Sequence, residues 1–225
     1  MKTMVRQARQ SKTLILILVM AILGCDGYGQ YFVEDEPTTN PPTSSEPIQP
    51  VFISKWDTTQ TGASASNQIR LPLNASGSYN FTVDWGDGSA NSIASAGDPA
   101  KVHTYASGGI YTIKITGQID GFGFANSGED NKKLLDISQW GQVKLHNSGY
   151  VFYGITLVSF SASDSPDLSN VTNMDSMFYN ASAFNQDLSA WGDAGGGALC
   201  TNIATKPTNF NSGAGTITLP CGWQP

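Results

Sequence analysis

The sequence predicts a mainly β protein, in which an antiparallel β-sandwich precedes a short solenoid with small helical or irregular segments. Two observations lead to this prediction. Between Val51 and about Gly117, large apolar residues alternate with polar ones, which is typical of half-buried strands. After Gly117, similar short segments recur at about 26 and then about 32 residues, a period typical of stacked units that pack only against their neighbours.

The first 24 residues are typical of a secretory signal peptide. Four basic residues precede an apolar run from Leu14 to Leu23, which is followed by Gly24 and Cys25. The basic residues are Lys2, Arg6, Arg9 and Lys12. Such a run spans only ~15 Å as a helix, half of the hydrocarbon thickness, so a permanent membrane span is not expected.

The end of this leader, Ile22-Leu23-Gly24-Cys25, resembles a bacterial lipobox. The resemblance implies that Cys25 is acylated, for example with palmitate, and becomes the new N-terminus. An ordinary signal peptide with an incidental cysteine is the alternative. Asp26 follows directly, and in some bacteria this position directs retention at the inner membrane, which opposes an outer-membrane location.

Removal of the leader changes the charge of the chain. The leader holds four of the 12 basic residues and none of the 18 acidic ones, so eight basic groups would face 18 acidic ones, a net charge of −10. A surface of this sign repels phosphate backbones, and we expect no nucleic-acid partner. Electrostatic docking on anionic lipids is not expected either.

Residues 25–50 are predicted to form a disordered tether behind the lipidated cysteine. The segment contains the acidic run Glu34-Asp35-Glu36 and five prolines among Thr, Ser and Asn. Few of its side chains could bury enough apolar area to offset the entropy of ordering.

The strands of the sandwich are clearest at Tyr79–Trp85 and at Ile110–Thr116, where every second residue is large and apolar. Gly86-Asp87-Gly88-Ser89, Gly97-Asp98-Pro99 and Ser107-Gly108-Gly109 are turn sequences between such strands. An antiparallel sandwich follows from this pattern.

Two motifs within Val83–Gly117, "VDWGDGS" and "HTYASGGIYTIKITG", resemble the signature of PKD-type Ig-like domains of extracellular proteins. The resemblance implies that the Asp-Gly turn and the tyrosine of "HTY" are structural. The residues agree, because Asp87 can bond its own turn, Gly88 can take positive φ and the Tyr105 hydroxyl can bond a neighbouring loop. We expect Trp85 and Tyr111 to be structural as well.

The same turn offers a possible weak Ca²⁺ site, in which Asp84 and Asp87 are joined by Asp98 or Asp57. Calcium takes six to eight oxygen ligands, and two aspartates in a turn fall far short of that number. The favoured interpretation is a hydrogen-bonded turn, with no metal and no cofactor.

No catalytic residue is predicted. The two histidines, His103 and His146, have no serine or cysteine nearby in a recognisable nucleophile setting, and His103 is expected to bond the turn. No nucleophile elbow, zinc-protease motif or phosphate-binding loop is present in the sequence. The acid pairs Glu129/Asp130 and Asp164/Asp167 could serve glycoside hydrolysis, but they lie among turn residues, where solvated charge is the favoured interpretation.

The C-terminal segments align on Phe152, Phe178 and Phe210, and "DISQW" and "DLSAW" end at Trp140 and Trp191. The stretch from Pro166 to Trp191 closely resembles the repeat of BspA-like leucine-rich-repeat proteins of bacterial surfaces, which implies adhesion to host or partner macromolecules. Eight side chains should point inward: Leu168, Val171, Met174, Met177, Phe178, Phe184, Leu188 and Trp191. Four asparagines could bond the bends: Asn170, Asn173, Asn180 and Asn185.

Cys200 and Cys221 are the cysteines that remain beside Cys25. In an oxidising compartment they can form a disulfide that stabilises a terminal cap by ~3 kcal/mol. Two free thiols are the alternative.

Four parts are therefore expected: a signal peptide (1–24), the lipidated cysteine and tether (25–50), a PKD-like sandwich (51–118) and a BspA-like repeat region with a cap (119–225). The expected function is a non-catalytic adhesion module at the bacterial cell surface, held at the outer membrane by its lipid, for an extracellular protein or glycan. A structural envelope protein or a polysaccharide-active hydrolase are the alternatives. Four aromatic residues are candidates for the binding surface, although core packing is an equal interpretation for most of them. They are Tyr150, Tyr153, Tyr179 and Trp223.

Overall fold

The computed structural model describes residues 50–124, 129–156, 159–169, 171–192, 199–202 and 206–223. The expected signal peptide, the lipidation site Cys25, the tether up to residue 49, and Asn170 lie outside the described residues. Within the described ranges, no helix is long and apolar enough to cross a membrane. The described fold is mainly β, as the sequence predicted.

Nine strands and four short helical segments make up the described elements. The strands are β1 (Phe52–Asp57), β2 (Gln68–Arg70), β3 (Leu73–Asp84), β4 (Ala90–Ile93), β5 (Val102–Thr104), β6 (Ile110–Phe122), β7 (Leu134–Gln139), β8 (Lys144–Leu145) and β9 (Ser159–Phe160). One α-helical turn, α1, covers Leu199–Asn202, and 3₁₀ turns cover Pro99–Lys101, Ser189–Trp191 and Pro220–Gly222.

The main sheet has the order β4-β3-β6-β1-β7-β9, with β8 paired to β6, and β2 pairs with β5 in a separate two-stranded sheet. The alternation in the sequence places every second cross-strand pair in the core. Val83, for example, lies opposite Ile115, and both are buried. Ile69 from the small sheet belongs to the same core cluster. The two sheets therefore enclose one apolar core.

Strand β7 joins the sandwich to the C-terminal turns. On one side it pairs antiparallel with β1, and on the other it pairs parallel with β9. The boundary expected between residues 118 and 119 lies inside β6, which continues to Phe122. Residues Glu46–Pro225 form one compact unit.

The C-terminal turns stack through backbone hydrogen bonds. The amide of Phe152 donates to Met177 O over 2.8 Å, and the amide of Phe178 donates to Phe210 O over 2.7 Å. Phe210 therefore occupies the place of Met177 in its turn, and the alignment of Phe210 with Phe178 from the sequence was wrong by one residue. The two spacings are 26 and 33 residues, because a longer connection precedes the last turn.

Each turn repeats the same backbone conformation. Tyr150, Ser176 and Asn209 have φ of 56°, 55° and 51°, and Gly154, Asn180 and Gly213 follow four residues later with φ of 63°, 57° and 69°. The eight side chains predicted to point inward are all buried. Of the asparagines predicted at the bends, Asn173 accepts the amide of Asp175 through its Oδ1. Asn147, which was not predicted, accepts the amides of Thr172 and Asn173 through its Oδ1.

The predicted solenoid is not a continuous sheet in the described part of the chain. Isolated parallel bridges, Lys144 to Asp167 and Asp187 to Thr218, join neighbouring turns, and the other backbone hydrogen bonds between described turns do not extend into a strand ladder. The repeat sequence is therefore a stack of irregular turns attached to an open β-sheet. Short apolar segments separated by polar bends allow this, because no segment is long enough to form an extended ladder.

Candidate functional site

The turn between β3 and β4 is closed by its own groups. The amide of Trp85 donates to Ser89 O over 3.1 Å, and Asp87 Oδ1 accepts the amide and the hydroxyl of Ser89 at 3.0 and 2.6 Å. Gly88 has a φ of 90°, a conformation that residues with a side chain rarely adopt. Asp87 and Gly88 thus serve the local turn.

Side chains from β5, from the residue after it and from β6 pack together beside this turn. The His103 ring stacks on Trp85 at 4.7 Å, and its Nε2 lies 2.8 Å from Asp87 Oδ2. The hydroxyl of Tyr105 donates to Trp85 O over 3.0 Å, and burial raises the pKa of Tyr105, so the hydroxyl stays a donor. Tyr111 stacks on Tyr105 with ring centroids 3.6 Å apart. These residues hold the sandwich together.

Ser89, His103 and Asp87 resemble a catalytic triad in composition but differ from one in geometry. In a triad the aspartate bonds one ring nitrogen and the serine bonds the other. Here Asp87 Oδ2 and Ser89 Oγ both face His103 Nε2, at 2.8 and 3.4 Å. Because one ring nitrogen faces both groups and the Ser89 hydroxyl donates to Asp87 Oδ1, Asp87 does not orient His103 as a general base for Ser89.

Each of the four aspartates considered for Ca²⁺ accepts hydrogen bonds from its own turn. Asp84 accepts the amide of Gly86, Asp98 accepts the amide of Ala100, and Asp57 accepts the amide of Thr59. In the described ranges no group of three or more His, Cys, Asp or Glu side chains comes together. The geometry favours hydrogen-bonded turns at these positions.

A buried ion pair that the sequence did not indicate holds the loop before β2. Lys133 and Asp130 are both fully buried, with Lys133 Nζ 3.8 Å from Asp130 Oδ1. The ammonium group donates toward Ser64 O and Oγ, Ala65 O and Gln68 O at 2.8–3.1 Å. Burial lowers the pKa of Lys133, and Asp130 opposes that effect.

Asp130 completes the same network. Its Oδ1 accepts the amide of Ser64 at 2.9 Å, its Oδ2 accepts the amide of Arg70 at 2.7 Å, and the Ser64 hydroxyl also donates to it. A Cβ added at Gly62 would lie 2.3 Å from Asp130 Oδ1, so the glycine permits this close approach. With its ammonium surrounded by oxygens, Lys133 acts as a structural cation and is poorly placed to accept a proton from Ser64.

The interpretation of both acid pairs as solvated loop charge was wrong for Asp130, which is buried for the reason just given. Its hydrogen-bond partners Ser64 and Arg70 lie 66 and 60 residues earlier in the chain, so no local pattern could reveal them. Asp164 Oδ1 and Oδ2 accept the amides of Trp140 and Gly141 at 2.9 and 2.8 Å. Asp167 Oδ1 accepts the amide of Ser169 at 2.9 Å. Burial raises the pKa of Glu129.

His146 is a buried core histidine. Its Nε2 lies 3.2 Å from Phe124 O, and its Nδ1 accepts the amide of Ser148 at 3.2 Å. Burial lowers its pKa, which favours the neutral ring. Because Nδ1 accepts a hydrogen bond and Nε2 faces a carbonyl, the proton belongs on Nε2.

Three of the four candidate aromatic residues lie together on the stacked turns, and we call Tyr150, Tyr153 and Tyr179 the tyrosine row. Tyr153 and Tyr179 occupy equivalent places in successive turns, with nearly parallel rings 5.8 Å apart. Tyr150 meets Tyr153 at 5.9 Å and 62°. All three are partly exposed.

The fourth aromatic candidate, Trp223, does not lie on the surface as a binding residue would. It is only 6% exposed, and its ring packs on Phe210 at 5.4 Å. The chain folds back over the last turn because Cys200 and Cys221 form a disulfide, with Cα atoms 5.2 Å apart, as the sequence predicted. Trp223 therefore belongs to the terminal cap and does not contribute to a binding surface.

Residues 123–212 match a protein family described as "Mycoplasma protein of unknown function, DUF285". This region contains the tyrosine row and includes the Pro166–Trp191 repeat, while the sandwich strands up to β6 precede it. No curated protein and no solved structure matches the chain.

Proposed function

We propose that the chain is an exported lipoprotein that acts as a non-catalytic interaction module on the bacterial surface, and that the tyrosine row contacts the partner. The observation that carries this proposal is the row itself, because amphipathic tyrosines held on rigid turns are suited to recognition. The leader and Cys25 supply export and the membrane anchor. The partner is an extracellular protein or glycan.

The finer family assignments belong to the same proposal. We assign the sandwich to the PKD-type Ig-like domains from the motifs around Trp85 and Tyr105, and the stacked turns to the BspA-like repeats from the Pro166–Trp191 segment. The family match at residues 123–212 supports a repeat identity for that part of the chain. In this arrangement the sandwich works as a spacer and supports the binding turns.

Lipidation and surface location are tested on the full chain in intact cells. Labelling of cells with radioactive palmitate should mark the wild type and leave Cys25→Ser unlabelled. Protease added to intact cells should remove the wild-type protein. Complete protection of the folded domain from protease would contradict the surface location and favour a structural protein inside the envelope.

The purified lipoprotein in detergent, probed against arrays of matrix proteins and glycans, should bind a defined subset. Tyr153→Ala combined with Tyr179→Ala should abolish that binding, while Lys132→Ala, an exposed change outside the row, should preserve it. Release of sugars from a bound polysaccharide would instead favour the hydrolase alternative. Binding that survives the double change would move the contact surface elsewhere.

A further inference from the structure

The six tyrosines within the described residues fall into two groups, according to whether the hydroxyl is hydrogen-bonded. In the sandwich, the hydroxyl of Tyr79 donates to Asn74 O, that of Tyr105 to Trp85 O, and that of Tyr111 to Ser107 O, at 2.8–3.0 Å. The hydroxyls of the tyrosine row have no hydrogen-bond partner among the described residues. A partly buried phenol whose hydroxyl reaches solvent is available to bind a polar ligand.

The backbone under the row is held firmly. The amide of Tyr153 donates to Tyr150 O over 3.2 Å, and the amide of Gly154 donates to Tyr179 O over 2.9 Å. Tyr153 O accepts the side-chain amide of Asn131 at 2.7 Å. Because these bonds fix the backbone under the row before any ligand arrives, binding costs little additional backbone entropy.

The row repeats with the stack. The nearly parallel rings of Tyr153 and Tyr179 each cover one face of the other, so they are less suited to receiving a flat ligand on both faces. In the next turn Ser212 occupies the equivalent place, since its amide donates to Asn209 O as that of Tyr179 donates to Ser176 O. Tyr153, Tyr179 and Ser212 thus place a hydroxyl at the equivalent position of three successive turns, and Tyr150 adds a second hydroxyl in the first of them.

The surroundings narrow the chemistry of the ligand. Asn180 and Asn209 present exposed, uncharged amide groups at the repeated bends. Asp175, whose backbone carbonyl accepts the amide of Tyr150, adds an exposed acidic group beside the row. The acidic balance of the chain disfavours an anionic ligand. A peptide would need apolar pockets for anchoring side chains.

Neither of the two cavities described for the folded part of the chain is lined by the tyrosine row. A cavity of about 430 Å³ lies beside β3 and another of about 530 Å³ lies between β6 and β8. Ile110, in the sandwich, is the exposed large apolar side chain of the described surface.

We infer that the tyrosine row binds a neutral glycan chain that lies along the stacked turns and exchanges hydrogen bonds with one hydroxyl per turn. This inference rests on the proposed function.

The test uses the purified full-length lipoprotein in detergent and a panel of soluble neutral polysaccharides: dextran, β-1,3-glucan, galactomannan and arabinoxylan. Polygalacturonate serves as the anionic probe, and fibronectin and collagen serve as protein probes. Isothermal titration should detect at least one neutral polysaccharide. Tyr153→Phe combined with Tyr179→Phe removes only two hydroxyls and should weaken that binding about tenfold.

Tyr111→Phe is the matched control, because it removes a hydroxyl that is bonded within the sandwich, and it should leave glycan affinity unchanged. The double variant should unfold at the wild-type temperature, which separates binding from folding. Neutral-glycan binding that the double variant retains would overturn the inference, as would binding of polygalacturonate alone. If only fibronectin or collagen binds, the glycan assignment fails while the proposed interaction function stands; binding of none of these probes overturns both.

Discussion

The indole rings of Trp140 and Trp191 meet edge to face, with centroids 5.6 Å apart at 84°. Trp140 follows β7 in the main sheet, and Trp191 ends the clearest repeat. Phe52 of β1 lies 6.2 Å from Trp140 on the sandwich side. The apolar core is therefore continuous from the sandwich into the stacked turns.

Trp140→Ala should destabilise both regions together, by about 3–5 kcal/mol, because it opens a cavity where they join. Urea unfolding followed by hydrogen exchange at amides of β3 and of the stacked turns should give one transition for the wild type. Trp191→Ala should act on the same contact, so the two losses should not be additive. Separate transitions in the wild type would mean that the regions fold independently.

Lys133→Met should lower the free energy of unfolding by about 3–5 kcal/mol, because Asp130 would remain buried with its charge uncompensated. The neighbouring exposed Lys132 provides the control, since Lys132→Met should change stability by no more than about 0.5 kcal/mol. Chemical denaturation of the two variants measures the difference between their free energies of unfolding. Equal stabilities would show that the ion pair does not hold the loop before β2.

Tyr105→Phe should destabilise the chain by about 1–3 kcal/mol, because the carbonyl of Trp85 would lose its buried donor. Tyr179→Phe should be nearly neutral, since its hydroxyl has no partner among the described residues. Thermal unfolding of the two single variants measures the difference. A similar loss in both would remove the distinction between the two groups of tyrosines.

The hydrogen bonds from Ser89, together with the contact to His103, lower the pKa of Asp87 to about 2 from an ordinary value of 3.8, against an opposing effect of burial. A carboxyl group whose folded pKa is lowered contributes stability above its unfolded pKa and loses it as the pH falls through the folded value. This contribution should therefore disappear between about pH 4 and pH 2.

The Asp87 prediction is measured by carbon NMR titration of the side chain. Ser89→Ala should raise the pKa of Asp87 toward the ordinary value, because the side-chain hydrogen bond is lost. Ser92→Ala, on the exposed part of β4, should leave the titration unchanged. A titration near pH 4 in the wild type would contradict the hydrogen-bonded geometry of the turn.

Local patterns in the sequence determined the parts of the fold that depend on neighbouring residues. Alternation predicted the strands around Val83 and Ile115, since burial of one sheet face imposes a period of two. The oxidising compartment expected for an exported protein predicted the disulfide between Cys200 and Cys221. The positions of the apolar side chains in the Pro166–Trp191 repeat followed from the same logic of one buried edge per turn.

Only the tertiary structure decided what depends on residues far apart in the chain. The ion pair of Lys133 with Asp130 requires the loop at Ser64, and the burial of Trp223 requires the return of the chain over Phe210. The register of the last turn, with Phe210 in the place of Met177, follows from hydrogen bonds between turns. These features depend on which distant residues meet in the assembled core, where buried polar groups find their hydrogen-bond partners. A sequence pattern indicates only which side chains are buried, and does not indicate what they contact.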